Sequence, residues 1–208
     1  TAGNLRANCA AALVRIGYPE VLFELVGLVM DPEVEARRGA VRALVRLGAE
    51  ESELLLRMKA LARDAEADVL GECFSGLMNM APERSLPFVA RYLDDADLAV
   101  AECAALAIGE SRTPEAFATL RRAWDNDLRR EFRQMLLLPL ALTRQDDAFD
   151  FLLDILREAQ RDAALAALDA LRLYAGDPGR ADTVRRIVEC RKDARLSRAY
   201  VEAFQPAT

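Results

Sequence analysis

Apolar residues recur at steps of three and four along nearly the whole chain, which is the period of an amphipathic helix. The first such stripe consists of Leu5, Cys9, Ala12, Leu13 and Ile16. The second consists of Ala36, Ala40, Ala43, Leu44 and Leu47. Small residues within the stripes let neighbouring helices approach closely, and we expect Leu44 and Leu77 to fill the space between successive helices. The pattern therefore predicts an all-helical protein.

The stripes belong to an internal repeat. Residues 5–17 and 36–48 match position by position, with small residues in the middle and then Leu, Val, Arg, Ile or Leu, and Gly. Further copies lie at residues 69–81, 98–110, 132–143, 163–175 and 196–204. A second helix is predicted between copies, at residues 19–30, 52–63, 84–93, 114–123, 146–157 and 181–190. A period of about 30–34 residues predicts a solenoid of about thirteen helices in roughly six hairpins.

Residues near the ends of these segments predict how the helices begin and end. Thr113 precedes a proline and an acid, the order expected of a capping hydroxyl and a first helical turn. Ser52 and Asp146 are expected to cap in the same way. Left-handed residues that close helices are expected at Gly17, Gly48, Gly109 and Gly176. Pro139 replaces a leucine of the repeat, and we expect it to kink its helix.

Composition and charge narrow the range of functions. Hydrophobic residues make up 52% of the chain and the net charge is −6, so the chain lacks the basic surface of a general nucleic-acid binder. The absence of histidine removes Ser/His and Cys/His nucleophile pairs and histidine metal sites. The four cysteines lack CxxC spacing, and no apolar run reaches the 18 residues of a membrane span. We therefore expect a non-enzyme with no cofactor and no metal.

Residues 31–48 carry a family resemblance. They read Asp-Pro-Glu-Val-Glu-Ala-Arg-Arg-Gly-Ala-Val-Arg-Ala-Leu-Val-Arg-Leu-Gly, which resembles the bacterial HEAT repeats often labelled phycobilin-lyase-like. The usual Val-Arg is replaced by Ala36-Arg37. The resemblance covers nearly the whole chain, most strongly the first four copies. It implies a right-handed α-solenoid that serves as an interaction scaffold, with the repeat-motif helices lining the concave side.

Three groups of enzymes have HEAT-like folds, and each uses residues for which this sequence can be checked. Deoxyhypusine hydroxylases of this kind use His-Glu metal pairs, which a chain without histidine does not have. Phycobilin lyases handle a tetrapyrrole, and no motif here marks a chromophore pocket. Alkylpurine DNA glycosylases use a basic concave face with aromatic residues and a catalytic acid, whereas this chain is acidic and Trp124 is its one tryptophan.

The leading candidate site is a row of arginines on the first two repeat-motif helices. It consists of Arg15, Arg38, Arg42 and Arg46. The last three are four residues apart and share one helix face. Such a row could bind an acidic peptide or a phosphate. The alternative is a solvated face whose arginines pair with Glu33, Glu35 and neighbouring acids.

Four further sets of residues have a functional and a structural interpretation. An acidic set that could receive a basic partner, or simply cap helices, comprises Glu50, Glu51, Glu53, Asp64, Glu66, Asp68 and Glu72. A set that could form a phosphate or nucleic-acid patch beside Trp124, or a surface ion-pair cluster, comprises Arg121, Arg122, Arg129, Arg130 and Arg133. Paired carboxylates that could bind metal, or cap helices, are Asp94, Asp95, Asp97, Asp146 and Asp147. The cysteines are expected to pack as small apolar residues.

These observations lead to one set of expectations. Residues 1–208 should form a single HEAT-like repeat domain, a piece of a larger bacterial, cytoplasmic protein that is truncated before Thr1 and ends naturally near Pro206. Its function should be non-catalytic binding of a protein partner on the concave face, with no membrane or nucleic-acid partner. It should be a monomer or a weak homo-oligomer through an uncapped terminal repeat. The alternatives are a HEAT-like enzyme or nucleic-acid module, glycosylase-like or phycobilin-lyase-like, and a purely structural assembly domain.

Overall fold

The structure, a computed structural model, describes residues 2–204, so the expectations about Thr1 and Pro206 lie outside the described residues. Within that range the chain is helical, with thirteen α-helices and no strand. The helices are α1 (Ala2–Ile16), α2 (Val21–Val29), α3 (Val34–Leu47), α4 (Glu50–Ala62), α5 (Ala67–Met80), α6 (Pro82–Ala90), α7 (Leu98–Glu110), α8 (Pro114–Asn126), α9 (Arg130–Leu142), α10 (Asp146–Glu158), α11 (Arg161–Leu171), α12 (Pro178–Arg191) and α13 (Ala194–Phe204). Short 3-10 segments follow α6 and α11, at Arg91–Asp94 and Arg172–Tyr174.

The chain divides into two compact units, Thr1–Ala107 and Ile108–Thr208, and the boundary falls inside α7. In the first unit α1, α3 and α5 pack side by side, while α2, α4 and α6 pack against them as a second layer. In the second unit α9, α11 and α13 form one layer, and α8, α10 and α12 form the other. Each unit is thus a stack of helical hairpins, and the predicted fold class, an all-α solenoid of about six hairpins, is confirmed.

Small residues allow the close helix packing that the repeat predicts. A Cβ atom placed on Gly39 of α3 would lie 2.2 Å from the Cβ and 2.6 Å from the Cα of Ala7 on α1. Leu44 and Leu77 are fully buried, as expected. Four of the five stripe residues of the second copy, Ala36, Ala40, Ala43 and Leu44, are buried too, because α1 lies on one side of α3 and α5 lies on the other, while Leu47 at the end of α3 is partly exposed.

The expectation that the first copy forms the same buried stripe is wrong. Leu5 is 66% exposed and Ile16 is 72% exposed, and Cys9 is also exposed. Their equivalents in the second copy include Ala36 and Ala40, which have no exposed surface. The difference arises because α1 has a neighbour in its own layer, α3, on one side only among the described residues.

Several predicted helix ends are confirmed and others are wrong. Gly17 and Gly48 are left-handed, with φ of 70° and 66°. Gly109 instead lies inside α7, where a Cβ would meet the carbonyl oxygen of Pro139 on α9 at 2.3 Å. Gly176 does not have a positive φ either. The left-handed residue after α7 is Arg112, so glycine at position 109 serves close packing rather than the cap.

The expected side-chain caps differ in a similar way. Thr113 does precede α8, but its hydroxyl finds no hydrogen-bond partner among the described residues. Ser52 lies buried inside the first turn of α4, which begins two residues earlier at Glu50. Asp146 is the first residue of α10 rather than its cap. A cap that the sequence analysis missed is Asp177, whose carboxylate accepts the backbone N–H groups of the first turn of α12.

A recurring aspartate holds successive hairpins together. In six inter-helix loops an aspartate Oδ accepts the backbone N–H two residues further on, at Asp31, Asp64, Asp95, Asp127, Asp177 and Asp193. Four of these carboxylates also pair with an earlier arginine: Asp31, Asp64 and Asp193 pair with Arg6, Arg37 and Arg161 of the preceding hairpin, and Asp95 pairs with Arg63 of the loop before that hairpin. Each such loop therefore links one hairpin to the next by a charge-assisted hydrogen bond.

The pair at Asp64 is the most deeply buried of these links. Arg37 donates to both carboxylate oxygens at 2.7 and 2.8 Å, and Lys59 Nζ lies 2.8 Å from the same carboxylate. The side chains of Lys59 and Asp64 are only 3% and 2% exposed. Burial opposes ionisation of Asp64, but the hydrogen bonds from Arg37 and Lys59 outweigh it and lower its pKa to about 2.

Candidate functional site

The arginine row lies on the solvent side of α1 and α3. Arg15 is near the end of α1 and Arg46 is near the end of α3, at equivalent positions of adjacent repeats, and both side chains are exposed. Arg42 lies one turn before Arg46 on the same face, and Arg38 lies two turns before it. The structure therefore brings the four predicted residues to one layer of the first unit. Whether this layer is concave stays a prediction.

Glu72 of α5 occupies the middle of the row. Its Oε1 accepts a hydrogen bond from Arg42 Nε at 2.9 Å and one from Arg38 Nη2 at 3.3 Å, and Arg42 Nη2 also contacts it. Burial favours the neutral form of Glu72, but the hydrogen bonds from Arg42 and Arg38 prevail, so its pKa is lowered. One carboxylate thus neutralises part of the charge of two guanidinium groups.

The remaining charge of the row is positive. Arg38 also lies 3.7 Å from Glu35, whereas Glu33 pairs with Arg6 instead. Neither Arg15 nor Arg46 forms an ion pair with any residue in the range 2–204. Arg42 keeps 53% of its side chain exposed despite its bond to Glu72. The four arginines thus face two carboxylates, and the free guanidinium groups lie at the same end of α1 and α3.

The acidic set is not brought together as a surface. Asp64 is buried beneath Arg37 and Lys59, and Glu53 pairs with Arg57 and Arg84. Glu72 belongs to the arginine row described above. Glu50 and Glu51 lie in the first turn of α4, where acids favour the helix dipole. Most members of the set therefore stabilise the fold.

The arginines near Trp124 form the ion-pair cluster that was the structural interpretation. Arg121 lies over the Phe151 ring at 4.1 Å and pairs with Asp125 at 3.1 Å. Arg133 lies 5.3 Å from the centre of the Trp124 ring and donates to two backbone carbonyls. Arg129 and Arg130 pair with aspartates. Four of the five arginines are therefore engaged within the second unit while Arg122 is exposed, which argues against a stacking, phosphate-binding patch here.

Cys73 and Cys103 pack as expected, whereas the expectation is wrong for Cys9 and Cys190, which are exposed. Cys73 is buried, and burial raises the pKa of its thiol to about 12. Cys103 is partly buried, and burial raises its pKa as well. Asp95 pairs with Arg63 and Asp146 with Arg180. Among residues 2–204, no group of three or more Cys, Asp or Glu side chains is arranged to hold a metal ion.

One surface that the sequence analysis missed lies in the other layer. The outward sides of α2 and α4 are apolar, with exposed Phe23, Val26 and Met30 on α2 and Leu54, Met58 and Leu61 on α4. The signal was present in α2, which reads Val-Leu-Phe-Glu-Leu-Val-Gly-Leu-Val and has Glu24 as its one charged residue. A helix of that kind is normally covered on more than one face.

Comparison with known proteins agrees with the fold. No described helix is both long and apolar enough to cross a membrane. No curated protein matches the chain. Residues 54–141 match the family model of HEAT repeats, a range that runs from α4 to α9. The matched range begins after residues 31–48, on which the resemblance was drawn, and it supports the predicted HEAT-repeat family for the part of the chain that it covers.

Proposed function

We propose that this chain is a non-catalytic scaffold that binds an acidic segment of a protein partner along the arginine row. The observation that carries the proposal is the pair Arg15 and Arg46, which are exposed, lie at equivalent positions of the neighbouring helices α1 and α3, and have no carboxylate partner among the described residues. Arg42 extends the row through its exposed half. HEAT repeats commonly act as protein-interaction scaffolds, which agrees with this assignment.

The chemistry of guanidinium groups favours an extended acidic peptide as the ligand. Each arginine presents a planar set of donors that matches a carboxylate, and successive turns of α3 space these donors about 6 Å apart. Glu72 pre-orders Arg38 and Arg42, which lowers the entropy that these side chains lose when a ligand binds. Because the row is exposed, its affinity should fall as salt concentration rises.

Two features of the chain support a non-catalytic function. The chain has no histidine, so the commonest general base is missing. The buried thiol of Cys73 has a raised pKa and is therefore a poor nucleophile. The glycosylase-like alternative needs a basic surface with free aromatic residues, whereas four of the five arginines around Trp124 already bind carboxylates or backbone carbonyls.

The test uses a fluorescent glutamate-rich peptide and measures its binding by anisotropy at several salt concentrations. Arg15→Glu with Arg46→Glu should weaken binding by about tenfold, because two exposed charge contacts are reversed. The matched control is Arg122→Glu with Arg198→Glu, which changes the net charge equally at exposed positions of the second unit. Equal losses in both variants, or no binding by the unmodified chain, would refute the proposal.

A second candidate function, assembly through the first repeat, rests on a different observation. The side of α1 that carries Leu5, Cys9 and Ile16 is exposed, although the equivalent side of α3 is buried by a neighbouring helix. Another helix of the same kind would cover it. Sedimentation velocity over a range of concentrations tests this role, and Leu5→Ser with Ile16→Ser should abolish any association that is seen.

A further inference from the structure

The outward faces of α2 and α4 form an apolar surface that no other described element covers. We call it the apolar stripe, and it consists of Phe23, Val26, Met30, Leu54, Met58 and Leu61. These side chains are between 48% and 81% exposed. On each helix the three residues span two turns at steps of three and four, so they lie on one face. Large apolar side chains grouped in this way mark an interaction surface.

The stripe points away from the core of the first unit. On α2 the residues that face the core are Val21, Leu25 and Val29, and on the helical wheel they lie opposite the stripe. On α4 the core-facing residues include Leu56 and Ala60. The two halves of the stripe run in the same direction, because Met30 near the end of α2 lies 3.9 Å from Lys59 near the end of α4.

Other helices of the same kind have polar outward faces, so the stripe is specific to α2 and α4. On α6 the exposed residues include Glu83 and Arg84. On α10 they include three aspartates, Asp147, Asp150 and Asp154. The fold therefore does not require apolar residues at these positions. Their presence on two adjacent helices indicates that a ligand covers them.

The charges beside the stripe indicate the chemistry of that ligand. Glu20, Glu24, Glu50 and Glu51 are exposed at the N-terminal ends of α2 and α4, and none forms an ion pair with a described residue. The two helix dipoles offset only about half a charge each. The basic residues Arg57 and Lys59 of α4 are already paired with Glu53 and Asp64. One end of the stripe is therefore negative and the other is close to neutral.

We propose that the apolar stripe binds an amphipathic helix of a partner protein whose lysine or arginine residues lie over the N-terminal ends of α2 and α4. Two parallel helices with apolar ridges offer a groove for the apolar face of a third helix. Met30 and Met58 can adjust to side chains of different shape. An anionic membrane surface is disfavoured, because the four glutamates would repel acidic phospholipids. This surface is separate from the arginine row, which lies in the other layer.

The experiment uses two fluorescein-labelled amphipathic peptides that share a leucine face and differ at one end, where one carries lysines and the other glutamates. Anisotropy should show the unmodified chain binding the lysine peptide at least about tenfold more tightly. Phe23→Ser with Met58→Ser should weaken that binding by about tenfold or more. The matched control, Leu128→Ser with Val201→Ser, removes two exposed apolar side chains of the second unit and should leave it unchanged.

A charge-reversal variant separates binding from folding. Glu24→Lys with Glu51→Lys keeps every apolar residue and should shift the preference from the lysine peptide towards the glutamate peptide. No binding by the unmodified chain, equal loss in the control, or an unchanged preference after charge reversal would each overturn the proposal. Binding to phosphatidylglycerol vesicles that depends on Phe23 and Met58, without binding to the peptide, would overturn it in favour of a membrane surface.

Discussion

Replacement of Asp64 by asparagine tests how far the buried ion pairs stabilise the fold. The lowered pKa of Asp64, about 2 against an ordinary value of 3.8, corresponds to about 2 kcal/mol of stability at neutral pH. Asparagine also leaves Lys59, whose side chain is 3% exposed, without its carboxylate. Removing one partner of such a buried pair costs about 3–5 kcal/mol, so Asp64→Asn should lower the free energy of unfolding by that amount.

The matched control lies at the equivalent loop position of the next hairpin. Asp95 makes the same contact to the backbone and pairs with Arg63, but the Arg63 side chain is 49% exposed. Because water solvates the charges of an exposed ion pair and so reduces its contribution to stability, Asp95→Asn should lower the free energy of unfolding by less than about 1 kcal/mol. Urea denaturation at pH 7, followed by circular dichroism, measures both variants.

The pH dependence gives a second, independent check on the same reasoning. Since the pKa of Asp64 is lower in the folded state, its contribution is complete above pH 4 and is lost as the pH falls from about 4 to about 2. The difference in stability between the unmodified chain and Asp64→Asn should therefore shrink over that range. A constant difference from pH 5 to pH 2, or a loss below about 1 kcal/mol at pH 7, would refute the argument.

Three further predictions concern close packing and thiol reactivity. Gly39→Ala should lower the free energy of unfolding by about 1–3 kcal/mol, because the added Cβ would overlap the backbone of α1. Gly27→Ala should instead raise the free energy of unfolding by about 0.5–1 kcal/mol, because its Cβ would have no atom within 4 Å. Urea denaturation measures both variants. Gly109→Ala should cost about 3 kcal/mol or more in the same assay, since its Cβ would strike a backbone carbonyl of α9, and a neutral effect would contradict the described packing. Cys73 should resist iodoacetamide at pH 8 in the folded chain while the exposed Cys190 reacts, as mass spectrometry of the peptides would show.

The sequence predicted the helices and their pairing because the signal is repeated along the chain. Each copy has the same spacing of apolar residues, and copies that are irregular alone gain support from the others. The same logic failed for the first copy, where Leu5 and Cys9 match the buried positions of Ala36 and Ala40 but are exposed. Burial depends on the neighbours of a helix as well as on its own pattern, and α1 has one fewer than α3.

The candidate site was harder to predict, because its charges come from different repeats. Arg38, Arg42 and Arg46 could be placed on one face from their spacing alone. Their partner Glu72 lies 30 residues after Arg42 in the sequence. The residues around Glu72 do not indicate that its carboxylate on α5 contacts arginines of α3. The apolar stripe was missed for a related reason. Three exposed apolar residues on one helix are common, and they form an extended surface only when α2 and α4 lie side by side.

The aspartate links between hairpins have a consequence for how such a chain can change in length. Three of the four links, Arg6–Asp31, Arg37–Asp64 and Arg161–Asp193, use only residues of one hairpin and the loop that leads to the next. Duplication or deletion of one hairpin, with its loop, would leave the other links of this kind intact. Recombination in whole repeats can therefore lengthen or shorten the binding surface in fixed steps without the need for compensating substitutions at the new joint.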